Sequence, residues 1–195
     1  MSALDSTHGR DDSETDILAT VAMGDSTAFE RLYHLYEKRL YRYVYSLVCD
    51  QSLAEDIVGE TMIAVWRGAG TFSGGSRVST WIFGIARHKS LDVLRQSGRR
   101  REVDLEGAAD LPTQADSPFD DVERKQVETL TKQALTALSP EHQEVLRLVF
   151  YEELPYQDIA TLLSIPTNTV KTRVFYAKQQ LKRQLERLGQ QEPTR

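Results

Sequence analysis

Apolar residues in this chain recur at three- and four-residue intervals over long stretches, and no segment alternates apolar and polar residues in twos; the pattern predicts an all-α protein. The sharpest case is Tyr156 to Leu185, YQDIATLLSIPTNTVKTRVFYAKQQLKRQL. Ile159, Ala160, Leu162 and Leu163 form one apolar stripe, and Val170, Val174, Ala177 and Leu181 form a second. Between them Ser164-Ile165-Pro166 closes the first helix, because the residue before a proline is pushed out of the helical region, and Thr167 or Asn168 can cap the next. Two helices across a tight turn make a helix-turn-helix, whose second helix enters the major groove by its N-terminal residues. Thr167, Asn168, Thr169, Lys171, Thr172 and Arg173 hold that position, and Lys178, Lys182 and Arg183 extend the positive charge. The competing reading is a helical hairpin with a solvated basic face. Turn, cap and basic second helix together favour DNA.

Upstream, the first dozen residues carry no period, and residues 1–15 are expected to be a disordered tail. Ser13 and Asp16 resemble a capping pair for a short helix, Ile17 to Met23, stopped by Gly24. Asp25 starts a longer helix with the stripe Phe29, Leu32, Tyr36, Leu40, Tyr43, Val44 and Leu47. Its tyrosines could stack on bases, but their helical spacing makes most of them packing residues. After a turn at Asp50-Gln51-Ser52, a third helix from Leu53 to about Arg67 turns Ala54, Ile57, Val58, Thr61, Met62 and Val65 to a core. Asp56, Glu60 and Ile63 fall on another face, which reads as a solvated surface or, with Trp66 beside the acids, as a protein contact.

A glycine-rich loop, Gly68 to Ser76, precedes a helix from Val78 to Arg95 and the run Arg99-Arg100-Arg101. No strand precedes the loop and no Gly-Lys-Ser/Thr follows it, so it is a flexible connection rather than a nucleotide cradle. The helix opens with Trp81, Ile82, Phe83, Ile85 and Ala86 and continues through Arg87, His88, Lys89 and Arg95. Aromatic and cationic side chains on one element hold single-stranded nucleic acid by stacking bases and pairing phosphates, while at least one of Trp81 and Phe83 is expected in the core.

Residues 102–121, EVDLEGAADLPTQADSPFDD, have no sustained period and read as a flexible acidic linker. A second domain follows with a helix near Val122 to Leu138, and Ser139-Pro140-Glu141 starts another with a capping serine and proline at the first helical position. That helix, with Val145, Leu146, Leu148 and Val149, is expected to pack beneath the helix-turn-helix. The fold class is therefore two small helical domains joined by a flexible linker, the C-terminal one a helix-turn-helix.

A net charge of -5 looks unsuited to nucleic acid until it is divided by segment. Residues 61–101 carry eight basic side chains against one acid, and residues 145–195 carry eight against five, while the segments before each are acidic. Exposed charges are screened beyond about 8–10 Å in physiological salt, so a local basic surface can bind phosphate on an acidic protein. A single cysteine, Cys49, allows no intramolecular disulfide and is read as a small core residue; four scattered histidines lack zinc-ligand spacing. No cofactor or metal is expected. No apolar run reaches bilayer length and the polar N-terminus has no signal core, so a cytoplasmic protein without membrane insertion is expected.

SLAEDIVGETMIAVWRG, TFSGGSRVSTWIFGIARHKSLDVLRQSGRRR, the acidic linker, and LSPEHQEVLRLVFYEELPYQDIATLLSIPTNTVKTRVFYAKQQL, in that order and spacing, resemble the extracytoplasmic-function (ECF) group of bacterial RNA polymerase sigma factors. The resemblance runs from about residue 16 to 188. It implies sigma region 2 over 16–101, the linker over 102–121, region 4 over 122–188, and a short tail over 189–195. It further implies that Asp56, Ile57, Glu60, Thr61, Ile63 and Trp66 bind the clamp helices of the polymerase beta-prime subunit, with the beta subunit as a further partner. Ser73, Arg77, Ser79, Trp81, Arg87, His88, Lys89 and Arg95 would contact the melted minus-ten element of promoter DNA. Asn168, Thr169, Lys171, Thr172, Arg173 and Tyr176 would read the minus-35 duplex. Such proteins catalyse no covalent chemistry and are usually held inactive by an anti-sigma factor. The family commonly has glutamine at the position of Gly59, asparagine at His88, glycine at Ser164, and glycine or another small residue at Asn168. A conventional two-domain helix-turn-helix regulator would account for residues 156–185 but leaves the first domain's loop and aromatic-basic helix unexplained, and an enzyme would need more than the Glu55, Asp56 and Glu60 cluster.

Overall fold

The computed structural model describes residues 3–98 and 130–190, which fall into two separate units, with side chains described at 13–96 and 130–189. In the first unit α1 (Ala3–Ala22), α2 (Ser26–Val48), α3 (Gln51–Gly68) and α4 (Val78–Gly98) pack together, with a single 3-10 turn, Ala69–Thr71, after α3. In the second, the helical residues 130–136 (α5) precede α6 (Pro140–Phe150), α7 (Tyr156–Leu163) and α8 (Thr167–Gln190). Among the described residues there is no strand, as the apolar period requires. The linker over 102–121, the arginine run 99–101, residues 122–129 of the helix expected to lead the second domain, and residues 191–195 of the expected tail lie outside the described residues.

Polar residues set the helix ends in the first unit. Gly24 stops α1 at a φ of 88°, and the Asp25 carboxylate accepts a bond from the Ala28 N–H at 2.9 Å, replacing a partner that the first turn of α2 lacks. Asp50 does the same for α3 through Leu53 N–H, so that helix starts at Gln51 rather than Leu53. Cys49 corrects an expectation: it is exposed, and it closes α2 in the left-handed region at φ 55°, its N–H donating to the Tyr45 carbonyl. The chain must reverse there, which turns the side chain away from the core.

Leu18, Val21, Leu32, Leu40, Val44, Ile57, Met62, Val65, Ile82 and Phe83 fill the interior of this unit. The stripe on α2 follows the expected spacing, although Ala28 and Val48 are buried where Phe29 and Leu47 are half-buried. The disordered tail expected over residues 1–15 is also corrected, since α1 begins at Ala3 and Ser13 and Asp16 lie inside it instead of capping it. What fixes its second half is Glu14, a buried carboxylate that accepts the Tyr36 hydroxyl at 2.5 Å. The Arg39 guanidinium lies 4.0 Å from the other Glu14 oxygen and over the rings of Tyr36 and Phe83. Burial, then the Glu14 charge, raises the Tyr36 phenol well above its ordinary value, so it stays a donor at any working pH.

The second unit is built on the expected plan. Ser139 caps α6 with its hydroxyl toward the His142 N–H, and Pro140 occupies the first turn. Val145, Leu146 and Leu148 of α6 pack with Ile159, Leu162 and Leu163 of α7 and Val170, Val174 and Ala177 of α8. Ser164 ends α7 in the left-handed region at φ 55°, its N–H reaching the Ala160 and Thr161 carbonyls, and Ile165 N–H also returns to Ala160. The start of α8 differs from expectation. Thr167 and Asn168 are within the helix, and the carbonyl of Pro166 accepts its first bonds, from Thr169 N–H at 2.8 Å and Val170 N–H at 3.2 Å.

Two stability changes follow. Tyr36→Phe removes the donor from a buried carboxylate and should lower stability by about 1–3 kcal/mol, measured by denaturant unfolding. Ser164→Gly relieves the left-handed position and should raise it by roughly 0.5–1 kcal/mol. A loss on Ser164→Gly would mean that the turn is held by something other than its backbone conformation.

Candidate functional site

Three surfaces carry the residues singled out from the sequence. The first lies on α3, where Asp56, Glu60, Ile63 and Trp66 recur at helical spacing and all are exposed, Ile63 by 50%. Trp66 packs edge-on against Phe29 of α2, ring centroids 5.0 Å apart, and Phe29 in turn approaches Tyr33 at 6.5 Å. These two α2 residues extend the face. They were missed because the α2 period assigns Phe29 to the core and Tyr33 to packing, whereas both are half-buried. Ile57 and Thr61, expected on the same face, are buried: Ile57 is in the core and the Thr61 hydroxyl donates to the Ile57 carbonyl at 2.7 Å. They sit one helical step round from the exposed set and support it from beneath.

The second surface is the outer side of α4 with the loop before it. Trp81, His88 and Arg95 are seven residues apart and so share one stripe. Trp81 is half-buried against Phe72 of the loop, centroids 5.3 Å apart, while Phe83 is the fully buried aromatic, edge-on to Tyr43 at 5.2 Å. Gly68 permits this: a Cβ there would stand 3.3 Å from the Trp81 ring. Trp81 thus ties the loop to the helix. Ser73 is exposed in that loop, Arg77 and Arg87 are half-buried, and Ser79 is buried, which removes it from direct strand contact. Asp92 reaches both His88 and Arg95 of the stripe, with His88 Nδ1 at 3.0 Å and Arg95 Nη1 at 2.7 Å. Lys89 is turned to α3, its Nζ 2.9 Å from Glu60.

The third surface is the N-terminal half of α8. Asn168, Lys171, Thr172 and Tyr176 are exposed, and Thr169 and Arg173 half-buried. Thr172 donates its hydroxyl to the Asn168 backbone carbonyl at 2.8 Å, and the Asn168 side chain is exposed. Phe175, not singled out from the sequence, stands as exposed as Tyr176, and the two rings meet edge-on at 5.5 Å. An unpaired apolar position in an otherwise polar helix face was the available signal. Arg173 lies near Glu141 at the start of α6; that carboxyl is held below its ordinary value by its own backbone N–H, then by the Ser139 hydroxyl, with Arg173 and His142 adding to the effect. Among the described residues, no helix is long and apolar enough to cross a membrane and no cluster of His, Cys, Asp and Glu could hold a metal.

A helix-turn-helix, an aromatic-cationic helix behind a glycine loop, and an acidic-apolar helix face are together the equipment of a nucleic-acid-binding protein with a protein partner. Residues 32–100 match the Sigma-70 region 2 family and residues 134–183 match Sigma-70, region 4. The chain is 31% identical over 169 residues to the ECF RNA polymerase sigma factor SigL of Mycobacterium tuberculosis, covering 86% of this chain and 94% of that one. It is 28% identical over 187 residues to the RNA polymerase sigma-H factor of Pseudomonas aeruginosa, covering 91% and 96%. Among solved structures it resembles the sigma factor RpoE of Bartonella quintana, captured in complex with the anti-sigma factor NepR, at a TM-score of 0.66 and 28% identity over 81% of this chain and 96% of that one. The chain belongs to the ECF family of RNA polymerase sigma factors. As such it is a DNA-binding initiation factor that binds core RNA polymerase, recognises the minus-35 and minus-ten promoter elements and promotes promoter melting.

Proposed function

We propose a division of that activity among the three surfaces, with residues 16–101 serving as region 2, 102–121 as the linker, 122–188 as region 4 and 189–195 as a short tail. Asp56, Glu60, Ile63 and Trp66, widened by Phe29 and Tyr33, bind the beta-prime clamp helices, the beta subunit providing a further contact elsewhere on the chain. Ile57 and Thr61 act from beneath. Trp81, His88, Lys89 and Arg95, with Ser73, Arg77 and Arg87 around the loop, hold the separated minus-ten strand; Ser79 contributes through the packing of α4. Asn168, Thr169, Lys171, Thr172, Arg173 and Tyr176 read minus-35 as duplex.

The observation that carries this reading is the juxtaposition, on two neighbouring helices of one unit, of an acidic-apolar face and an aromatic-cationic stripe. A protein surface with depleted charge at its aromatic centre suits a protein partner, and cations beside exposed aromatic edges suit unstacked bases. Opening a duplex without fuel requires that the extruded base and the freed phosphates be bound better than the duplex, and the stripe offers groups for both. The chain performs no covalent chemistry in this scheme; the polymerase does. It acts in the cytoplasm, where the polymerase is. An anti-sigma factor that covers the polymerase-binding surface would hold it inactive, a form of control supported by the likeness to RpoE, itself seen with NepR.

Arg173→Ala should weaken binding to duplex minus-35 DNA about tenfold while melting of a preformed complex persists, and Trp81→Ala should do the reverse, read by 2-aminopurine fluorescence in the minus-ten element. Circular dichroism must accompany Trp81→Ala, because that ring also anchors the loop. Equal loss of duplex binding in both variants would overturn the division and favour a conventional duplex-binding regulator.

A further inference from the structure

Gly84 stands in the interior of α4, where glycine weakens a helix relative to alanine, and nothing in the chain's own packing asks for it. Its φ is not positive, unlike those of Gly24 and Gly74. A Cβ at Gly68 would stand 3.3 Å from the Trp81 ring, whereas one at Gly84 would meet no atom within 4 Å beyond its own helix backbone and chain neighbours. Gly59 of α3 is open in the same way, on the face proposed for polymerase. Gly84 lies three residues after Trp81 and four before His88, so it belongs to the outer stripe of α4, and neither of those side chains covers it. The stripe therefore has a notch whose floor is bare backbone. Two turns of helix carry the chain about 10 Å from Trp81 to His88. A stacked base takes about 3.4 Å of that rise, which leaves room for a contact on each side. One wall, Trp81, is half-buried and lies 5.3 Å from Phe72 between ring centroids. The other, His88, is 74% exposed and meets Asp92 one turn further on, away from Gly84.

We propose that the notch over Gly84 seats one unstacked base of the separated strand, between the Trp81 ring and the His88 imidazole; the inference rests on the strand lying along the outer stripe of α4. Backbone N–H and C=O groups in the middle of a helix are already bonded to each other, so the floor offers no hydrogen bond to a base edge. The seat holds a base by its flat faces. Stacking is tolerant of sequence and strongest for the larger rings, so the seat prefers a purine without reading its edge. Any side chain at position 84 would fill the space that the base needs, which accounts for glycine at a point where neither fold nor backbone conformation requires it.

The test uses the full chain bound to core polymerase and a fluorescein-labelled single strand carrying the minus-ten element of a promoter that this holoenzyme transcribes. An abasic site is moved along the strand one nucleotide at a time. Wild type should lose about tenfold in affinity when the abasic site reaches the seated nucleotide. Gly84→Leu should bind the intact strand about tenfold more weakly, and the abasic site at that nucleotide should cost it nothing further. Gly84→Ala should weaken binding less than Gly84→Leu while raising the Tm of the first unit in the free chain by about 3–8 °C, a sign that a glycine needed for folding would not give. Undiminished strand affinity in Gly84→Leu, a fall in Tm on Gly84→Ala, or abasic penalties in Gly84→Leu equal to those of wild type at every nucleotide overturns the seat. Arg95→Ala separates this from failure of the underlying reading. Undiminished binding in both Arg95→Ala and Gly84→Leu removes the strand from the stripe, whereas weakened binding in Arg95→Ala beside an unaffected Gly84→Leu removes the seat alone.

Discussion

Burial of the Phe83 ring fixes where every functional group of α4 points. The ring has no exposed surface, meets Tyr43 edge-on and Tyr36 at a tilt, and lies under the Arg39 guanidinium. Deleting such a ring costs about 3–5 kcal/mol, a large part of a small unit's stability, so α4 cannot rotate about its axis to expose it. With Phe83, Ile82 and Ala86 inward, helical geometry turns Trp81, His88 and Arg95 outward along one stripe and sets Lys89 beside α3. The same cluster secures α1, because Tyr36 supplies the donor and Arg39 the charge that let Glu14 enter the interior. Glu14 thus joins Ile17, Leu18 and Val21 in packing the second half of α1 into the unit.

The second unit depends on a smaller constraint at Ser164. A non-glycine residue held at φ 55° turns the chain between α7 and α8, and the Pro166 carbonyl then starts α8 without a side-chain cap. Because neither Thr167 nor Asn168 is used as the cap, both remain at the helix entrance, where the N-terminal dipole attracts phosphate and side chains reach base edges. Under the proposed minus-35 assignment architecture and recognition share residues at this turn, and Ser164 in place of glycine puts a modest strain beside them.

Helices, their order and the helix-turn-helix were legible because they follow from apolar period and from Asp25, Ser139 and Pro140 at helix starts. What escaped was set by tertiary contacts. Glu14 gave no apolar signal, so its turn of helix was read as tail until Tyr36 met it across 22 positions of sequence. Cys49 sits next to an apolar stripe but at a point where the backbone reverses, and the local φ outweighed the residue's preference for burial. Among candidate contacts, Ile57, Thr61 and Ser79 matched a family pattern that mixes surface residues with those supporting them, and burial separates the two kinds. The Glu60–Lys89 and Asp92 pairings were invisible to any count of charge, since a basic segment does not disclose which of its cations an acid already holds.

The proposed division of labour turns on α3 facing polymerase while the outer stripe of α4 faces the melted strand. Photo-crosslinking in the open complex, with a benzophenone amino acid replacing Ile63 in one preparation and His88 in another, measures this directly. Position 63 should crosslink to the beta-prime subunit and position 88 to the single-stranded minus-ten element. Crosslinks from position 63 to DNA, or from position 88 to polymerase alone, would contradict it.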